Sequence, residues 1–252
     1  MAGFRQRAPY GIELPVVPHP SVTMGIDLGD SPLVVDETSG RQLRGSVVAG
    51  LAPAVVRVRG RKVECLQVRL SPTIAYSLLG AFGEPGGPVI ALDDLWGRDA
   101  IRTVERLRAA ASWDDRFAIA EAALVRRVHA RAVDPEVAFA WEQMMKSNGK
   151  VRVEAVAAEV GWSRKRLWSR FRGQIGLNPK RAAQLVRFDH AVRRLAAGVG
   201  ASLVAAEGGY ADQSHLHRDV AAFAGVTPAA VAVAPWLAVD DVAWATPTFS
   251  PR

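Results

Sequence analysis

Hydrophobic and polar residues alternate in short runs over the first 70 positions of the chain, and Gly, Pro, Asp and Ser separate the runs. This pattern is typical of strands that are joined by tight turns. The predicted strands cover residues 22–29, 32–35, 45–51, 54–60 and 63–70. Short strands at this spacing predict a small antiparallel sandwich or barrel.

The period of the pattern lengthens after residue 70, which indicates helices. Ser71 and Pro72 can begin a helix that ends at Gly80. Three longer helices are predicted over 99–111, 114–131 and 135–146, each opened by a capping residue or proline. We interpret 146–150 as a linker, which gives an α+β domain over 1–147, an all-α domain over 148–237 and a tail over 238–252.

Two segments of the second half, 153–179 and 202–228, share one layout. In each, a short Ala/Val-rich helix ends at a glycine that is followed by an aromatic residue, and a polar residue then opens a second helix. The glycines are Gly161 and Gly209, and the aromatic residues are Trp162 and Tyr210. This order of elements is typical of a helix-turn-helix, so the chain is predicted to contain two of them.

The second helix of each unit is amphipathic, and its polar face suits contacts with base edges. If Leu167 and Phe171 are buried in the first unit, and Leu216 and Val220 in the second, the opposite faces point outward. Arg and Lys can donate to guanine, and Gln pairs well with adenine. The residues predicted to contact DNA are Lys165, Arg166, Trp168, Ser169 and Arg172, then Gln213, Ser214, His217 and Arg218.

Positive charge is concentrated in the first of these units. Residues 1–147 carry 18 Lys and Arg against 17 Asp and Glu, whereas residues 150–194 carry 12 against 3. A cluster of this kind on a helix-turn-helix is what attraction to phosphates requires. A helix predicted over 179–198 separates the units. Its length of about 28 Å is comparable with the ~34 Å between successive major grooves. The predicted phosphate contacts are Arg164, Lys180, Arg181 and Arg187, with Arg193 and Arg194 as further candidates.

Over residues 150–235 the sequence resembles the DNA-binding region of the AraC/XylS family of bacterial transcription regulators. The resemblance rests on Ala157, Gly161, Ser163, Leu167, Arg170, Phe171, Gly176 and Pro179, and on Ala205, Gly209, Tyr210, Gln213, Leu216, Arg218, Gly225, Thr227 and Pro228. One departure is Val220, followed by Ala-Ala-Phe-Ala-Gly, where the family usually has Phe and basic residues.

The resemblance implies a sequence-specific DNA-binding transcription regulator in which both recognition helices contact bases and a linker helix joins them. It also implies an N-terminal sensing or dimerising domain, often a cupin-like β-barrel. The partners implied are double-stranded DNA, a small-molecule effector of unspecified identity, RNA polymerase and a second copy of the chain.

Other functions find less support in the sequence. A cupin-type metal enzyme needs two or three histidines with a carboxylate, but only His19 precedes residue 129. DNA alkyl transfer of the Ada type needs several cysteines, and the chain has only Cys65. We therefore expect no enzymatic activity, no cofactor and no metal. Without an apolar run of membrane-spanning length or a signal peptide, a cytoplasmic location is expected. A non-sensing architectural nucleic-acid-binding protein is the alternative left open.

Overall fold

In the computed structural model, which describes residues 1–37, 39–51, 56–80, 89–128 and 132–233, the N-terminal part is built on one antiparallel sheet. The strands are β1 (Ala2–Val16), β2 (Val22–Asp27), β3 (Val34–Asp36), β4 (Gln42–Arg44), β5 (Val47–Ala49), β6 (Val56–Leu70) and β7 (Val89–Ala91). Their order is β4-β3-β6-β2-β5-β7, and β1 pairs with the other edge of β6. Because β4 and β7 also contact each other, the sheet forms a nearly closed barrel.

The strand pattern predicted the barrel but misplaced several of its members. β1 was not predicted, because charged residues, Gly and Pro interrupt its sequence; it pairs with β6 alone, and prolines are tolerated in such an edge strand. The segments 54–60 and 63–70 are not two strands, since pairing with β1 continues through Lys62 and joins them into β6. The three-residue strands β4 and β7 are too short to produce a detectable alternation.

Helices follow β6, and their buried side chains share a core with one face of the sheet. They are α1 (Pro72–Leu79), α2 (Leu92–Trp96), α3 (Arg98–Ala109), α4 (Trp113–Val125) and α5 (Pro135–Lys146). Helices α1 and α5 agree with the prediction, whereas α4 ends at Val125 rather than at residue 131. Fully buried Met24 and Leu66 of the sheet pack with Leu107 of α3 in one core.

The remaining helices form an all-α unit, as predicted. They are α6 (Val153–Glu159), α7 (Arg164–Ile175), α8 (Pro179–Ala196), α9 (Ala201–Glu207), α10 (Gln213–Ala224) and α11 (Pro228–Ala232). Helix α5 shares their core, because Val137, Trp141 and Met144 lie in the same cluster of buried side chains as Phe171 and Phe188. The predicted tail 238–252 lies outside the described residues.

The predicted linker 146–150 is a tight turn that packs against α8. The amide of Gly149 donates to the carbonyl of Met144 over 2.8 Å. Gly149 has a φ of 74°, and a Cβ added to it would overlap the carbonyl oxygen of Ala183 and lie 2.7 Å from the amide nitrogen of Arg187. Only glycine therefore fits here, and the turn holds the end of α5 directly on α8.

Candidate nucleic-acid interface

The first helix-turn-helix consists of α6 and α7, and its local geometry follows from a few residues. Gly161 takes a φ of 67° at the turn, a conformation that costs glycine little. The hydroxyl of Ser163 then caps α7 by accepting the amide of Arg166 over 3.2 Å. Leu167 and Phe171 are fully buried, as their spacing predicted. The opposite face of α7 is therefore turned to solvent.

All five residues predicted to contact DNA from α7 are exposed: Lys165, Arg166, Trp168, Ser169 and Arg172. Trp168 is 41% exposed, which is high for the largest apolar side chain and makes its indole available to a partner. The guanidinium of Arg166 lies 4.4 Å from the ring centroid of Trp162. This cation–π contact with the turn residue helps to orient the Arg166 side chain.

Arg170 is one of the residues on which the family resemblance rests. It forms an ion pair that holds α7 in place. Its Nε and Nη2 donate to the two carboxylate oxygens of Asp134 over 2.6 and 2.8 Å. The guanidinium beside Asp134 lowers the pKa of that carboxyl. Because Asp134 immediately precedes α5, this bidentate pair ties the first recognition helix to α5.

The second helix-turn-helix repeats the geometry with different capping chemistry. Gly209 has a φ of 75° at its turn, and Asp212 caps α10 by accepting the amide of His215 over 2.6 Å. Leu216, Val220 and Phe223 are buried as predicted. The exposed face carries the four predicted contact residues, Gln213, Ser214, His217 and Arg218. Both recognition helices thus present their predicted polar faces to solvent.

Helix α8 joins the two units, and the same type of joint follows each recognition helix. Each recognition helix ends at a left-handed glycine, Gly176 or Gly225, and a capping residue then precedes a proline that starts the next helix. The 18 residues of α8 give a rod of about 27 Å. Phe188 of α8 stacks on Phe223 of α10 with a centroid distance of 4.8 Å, which fixes the second unit on the rod.

The basic residues predicted to contact phosphate differ in how far they reach solvent. Lys180 and Arg164 are exposed, the latter 3.7 Å from Glu154. Arg181 is half-buried with its guanidinium 4.0 Å from the centroid of Phe223, and burial lowers its pKa. Arg193 pairs with Asp189, and Arg194 with Glu207. Lys180 and Arg164 are consequently the best placed of the set.

Arg187 is held inside the protein. The sequence pattern predicts instead that it faces solvent and contacts phosphate. Its side chain is only 14% exposed and its Nη2 donates to Asp219 over 2.7 Å. The guanidinium also lies 4.5 Å from the ring centroid of Tyr210, and burial raises the pKa of that tyrosine to about 12. Helical spacing could not reveal this, because Asp219 is 32 positions away in sequence. Arg187 thus joins α8 to the second helix-turn-helix.

The N-terminal part also contacts α8 directly. Nδ1 of His19 lies 2.8 Å from the hydroxyl of Ser21, and its Nε2 lies 3.3 Å from Nη2 of Arg193 and 3.4 Å from Oδ1 of Asp189. Burial, with Arg69 and Arg193 nearby, holds the pKa of His19 well below its usual value. Beside it, Val17 and Leu51 are buried in the core of the helical unit.

The described residues hold little that suits covalent or metal chemistry. Burial raises the pKa of the Cys65 thiol to about 12, so a thiolate is disfavoured at neutral pH. Within the described ranges, no group of three or more His, Cys, Asp and Glu side chains could hold a metal ion. Over those same ranges, no helix is long and apolar enough to cross a membrane.

Two cations that the sequence patterns did not single out, Lys150 and Arg152, lie beside the first unit and line the same groove as Lys165. Both belong to the segment between α5 and α6. Both contribute to the positive charge of residues 150–194. Because they precede the first helix-turn-helix in sequence, the motif alone does not predict that they contact DNA.

Comparisons with known proteins agree with this geometry. Residues 156–232 match a family model described as a helix-turn-helix domain. The fold is similar to that of ToxT from Vibrio cholerae O395, at 10% identity and a TM-score of 0.50, over 90% of this chain and 94% of that one. ToxT from Vibrio cholerae strain SCE256 with bound unsaturated fatty acid is similar at 8% identity and a TM-score of 0.50, over 90% and 91%.

The similarity to ToxT extends across both the barrel and the helical unit, whereas no curated protein sequence matches the chain. At such low identity the likeness concerns the fold. The domain match is more specific, because it spans both units and the helix between them. With that match, residues 156–232 are a helix-turn-helix domain of the AraC type, which makes the chain a DNA-binding transcription regulator.

Proposed function

We propose that the chain binds a specific DNA site by placing α7 and α10 in two adjacent major-groove segments. The observation that carries the proposal is the simultaneous exposure of both polar faces on one rigid rod. The rod of about 27 Å is comparable with the ~34 Å repeat of the major groove. In this arrangement, base contacts come from Lys165, Arg166, Trp168, Ser169 and Arg172, and from Gln213, Ser214, His217 and Arg218.

We expect the two units to contribute differently. Helix α7 carries three cations among its predicted contact residues, namely Lys165, Arg166 and Arg172, so it should supply more of the salt-dependent affinity. Helix α10 has Arg218 and the neutral Gln213 and Ser214 there, and Asp212 caps its first turn. Its main contribution should be discrimination among base pairs rather than phosphate attraction.

Selection of bound duplexes from random DNA, followed by footprinting, tests the proposal. The expected result is a protected site of about two helical turns that persists in the presence of competitor DNA. Uniform protection without a selected sequence would instead indicate an architectural nucleic-acid-binding protein. Repeating the selection with an α10 variant, Gln213→Ala, should relax preference in one half of the site only.

The proposal includes regulation through the N-terminal part. The structures of ToxT include forms with unsaturated fatty acid and with a naphthalenyl-butenoic acid. Since this chain has a similar fold, we propose a small amphipathic effector for it too, with the sign of regulation open. Melting curves with and without a fatty acid test this, because a bound effector raises the melting temperature by mass action.

We further propose a homodimer that assembles through α3 and α4. These helices present apolar side chains to solvent. Ile101 of α3 is 55% exposed, Val125 at the end of α4 is 63% exposed, and Val128, just after α4, is 62% exposed. Analytical sedimentation should show a dimer for the wild type and a monomer for Val125→Glu. A monomeric wild type would refute the proposed homodimer. Contact with RNA polymerase is the remaining predicted partnership and is tested by transcription in vitro with purified components.

A further inference from the structure

A groove runs between the two helix-turn-helix units over the exposed side of α8. It has a volume of about 990 Å³. Lys165 and Trp168 of α7 line one side, and Gly209 with His215 of the second unit line the other. Since two of the predicted base-contacting residues form its wall, the groove opens toward the side on which DNA is proposed to lie.

The groove is strongly cationic. Six basic residues line it, namely Lys150, Arg152, Arg164, Lys165, Lys180 and Arg187, against the single acid Glu154. Glu154 interacts with Arg164, and Arg187 is neutralised by Asp219. Among the described residues, no carboxylate lies within ion-pair distance of the other four. Such a concentration of uncompensated positive charge favours a polyanion.

Lys150 and Arg152 are held at the groove by the packing of the preceding turn. Gly149 permits that turn to press on α8, as described above. The aliphatic part of Lys150 crosses the turn of the second unit, since a Cβ on Gly209 would lie 2.9 Å from Cγ of Lys150. Its Nζ lies 3.4 Å from the carbonyl oxygen of Glu207. Lys150 therefore spans the gap between the two units.

We propose that this groove binds the phosphodiester backbone of the DNA between the two major-groove segments, and that Lys150 and Arg152 are phosphate contacts in it. The inference rests on the proposed function. Between two major-groove segments on one face of B-DNA lies a minor groove bordered by a phosphate chain on each side. A cationic channel between the two recognition helices faces that part of the duplex and needs no base contacts there.

The test uses the full chain and a duplex that it has selected from random DNA. Dissociation constants are measured by fluorescence anisotropy across a series of NaCl concentrations for the wild type, Lys150→Gln, Arg152→Gln and the double variant. Each lost phosphate contact lowers the salt slope by about 0.9, so the double variant should lose about 1.8. Lys150→Arg, which keeps the charge, should keep the wild-type slope.

Arg44→Gln is the matched control, because Arg44 is an exposed arginine of the strand β4 and does not line the groove; its slope should equal that of the wild type. A second duplex carries neutral methylphosphonate linkages at the central minor groove. It should weaken binding by the wild type more than binding by the double variant, which has already lost two of the groove's cations.

Two outcomes would overturn the inference. In the first, the double variant binds the selected duplex with the same salt slope as the wild type. This result would leave the proposed function intact. The second is equal weakening of the wild type and the double variant by the methylphosphonates, which would assign the lost affinity to another cause. If the full chain bound no duplex, the proposed function would fail together with this inference.

Discussion

The pairing of Arg187 with Asp219 makes Arg187→Met the most informative substitution in the helical unit. Methionine keeps much of the side-chain length but leaves the Asp219 carboxylate, which is 12% exposed, without its partner. Removing one member of a buried ion pair costs about 3–5 kcal/mol. Because both side chains retain some exposure, we expect a loss near the lower limit, about 3 kcal/mol in the free energy of unfolding.

The assay is urea unfolding followed by tryptophan fluorescence on the wild type, Arg187→Met, Asp219→Leu and the double variant. The double variant should be more stable than Arg187→Met, because no uncompensated charge is left. The salt slope of DNA binding decides between this internal role and a phosphate contact. Wild-type stability of Arg187→Met, together with a slope lower by about 0.9, would refute our reasoning and restore Arg187 to the DNA surface.

Four other outcomes are expected. Lys165→Ala should weaken DNA binding more than Arg218→Ala at equal salt, measured by anisotropy; the reverse order would contradict our ranking of the units. Burial lowers the pKa of His19 from its usual 6.5, so the folded ring is neutral and stability falls as the pH drops below 6.5; His19→Gln should flatten that fall in urea unfolding at pH 5 and 7. The Cys65 thiol, whose pKa is raised to about 12, should react with a disulfide reagent only in denaturant; rapid labelling of the native chain would contradict this. Met144→Ala removes a fully buried side chain of α5 and should cost about 3 kcal/mol, measured by urea unfolding.

The helical unit could be predicted from sequence because its signals are local. Gly161 and Gly209 mark turns, Ser163 and Asp212 cap helices, and the apolar spacing fixes which face is buried. These relations span a few residues, so periodicity and capping chemistry suffice. The exposed predicted contacts on α7 and α10 follow directly from them.

Other features depend on pairs of residues that are far apart in sequence. The strand β1 gains its structure from pairing with β6, whose paired residues run from Val16↔Val56 to Ala2↔Gln67, although its own sequence is a poor strand. Arg187 looked like a solvent-facing cation until the structure brought Asp219 and Tyr210 against it. The segment containing Gly149 has linker composition, but its packing on α8 is a tertiary contact that no local rule predicts.

The burial of Val17 and Leu51 in the core of the helical unit limits how freely the two halves of this chain can be exchanged. A chimera that grafts another DNA-binding half onto this barrel would leave both side chains facing a surface that had not evolved with them, and would open a gap where they had packed. Recombination at the junction between the halves would therefore have to carry these two positions, or substitutes of matching volume, along with α8.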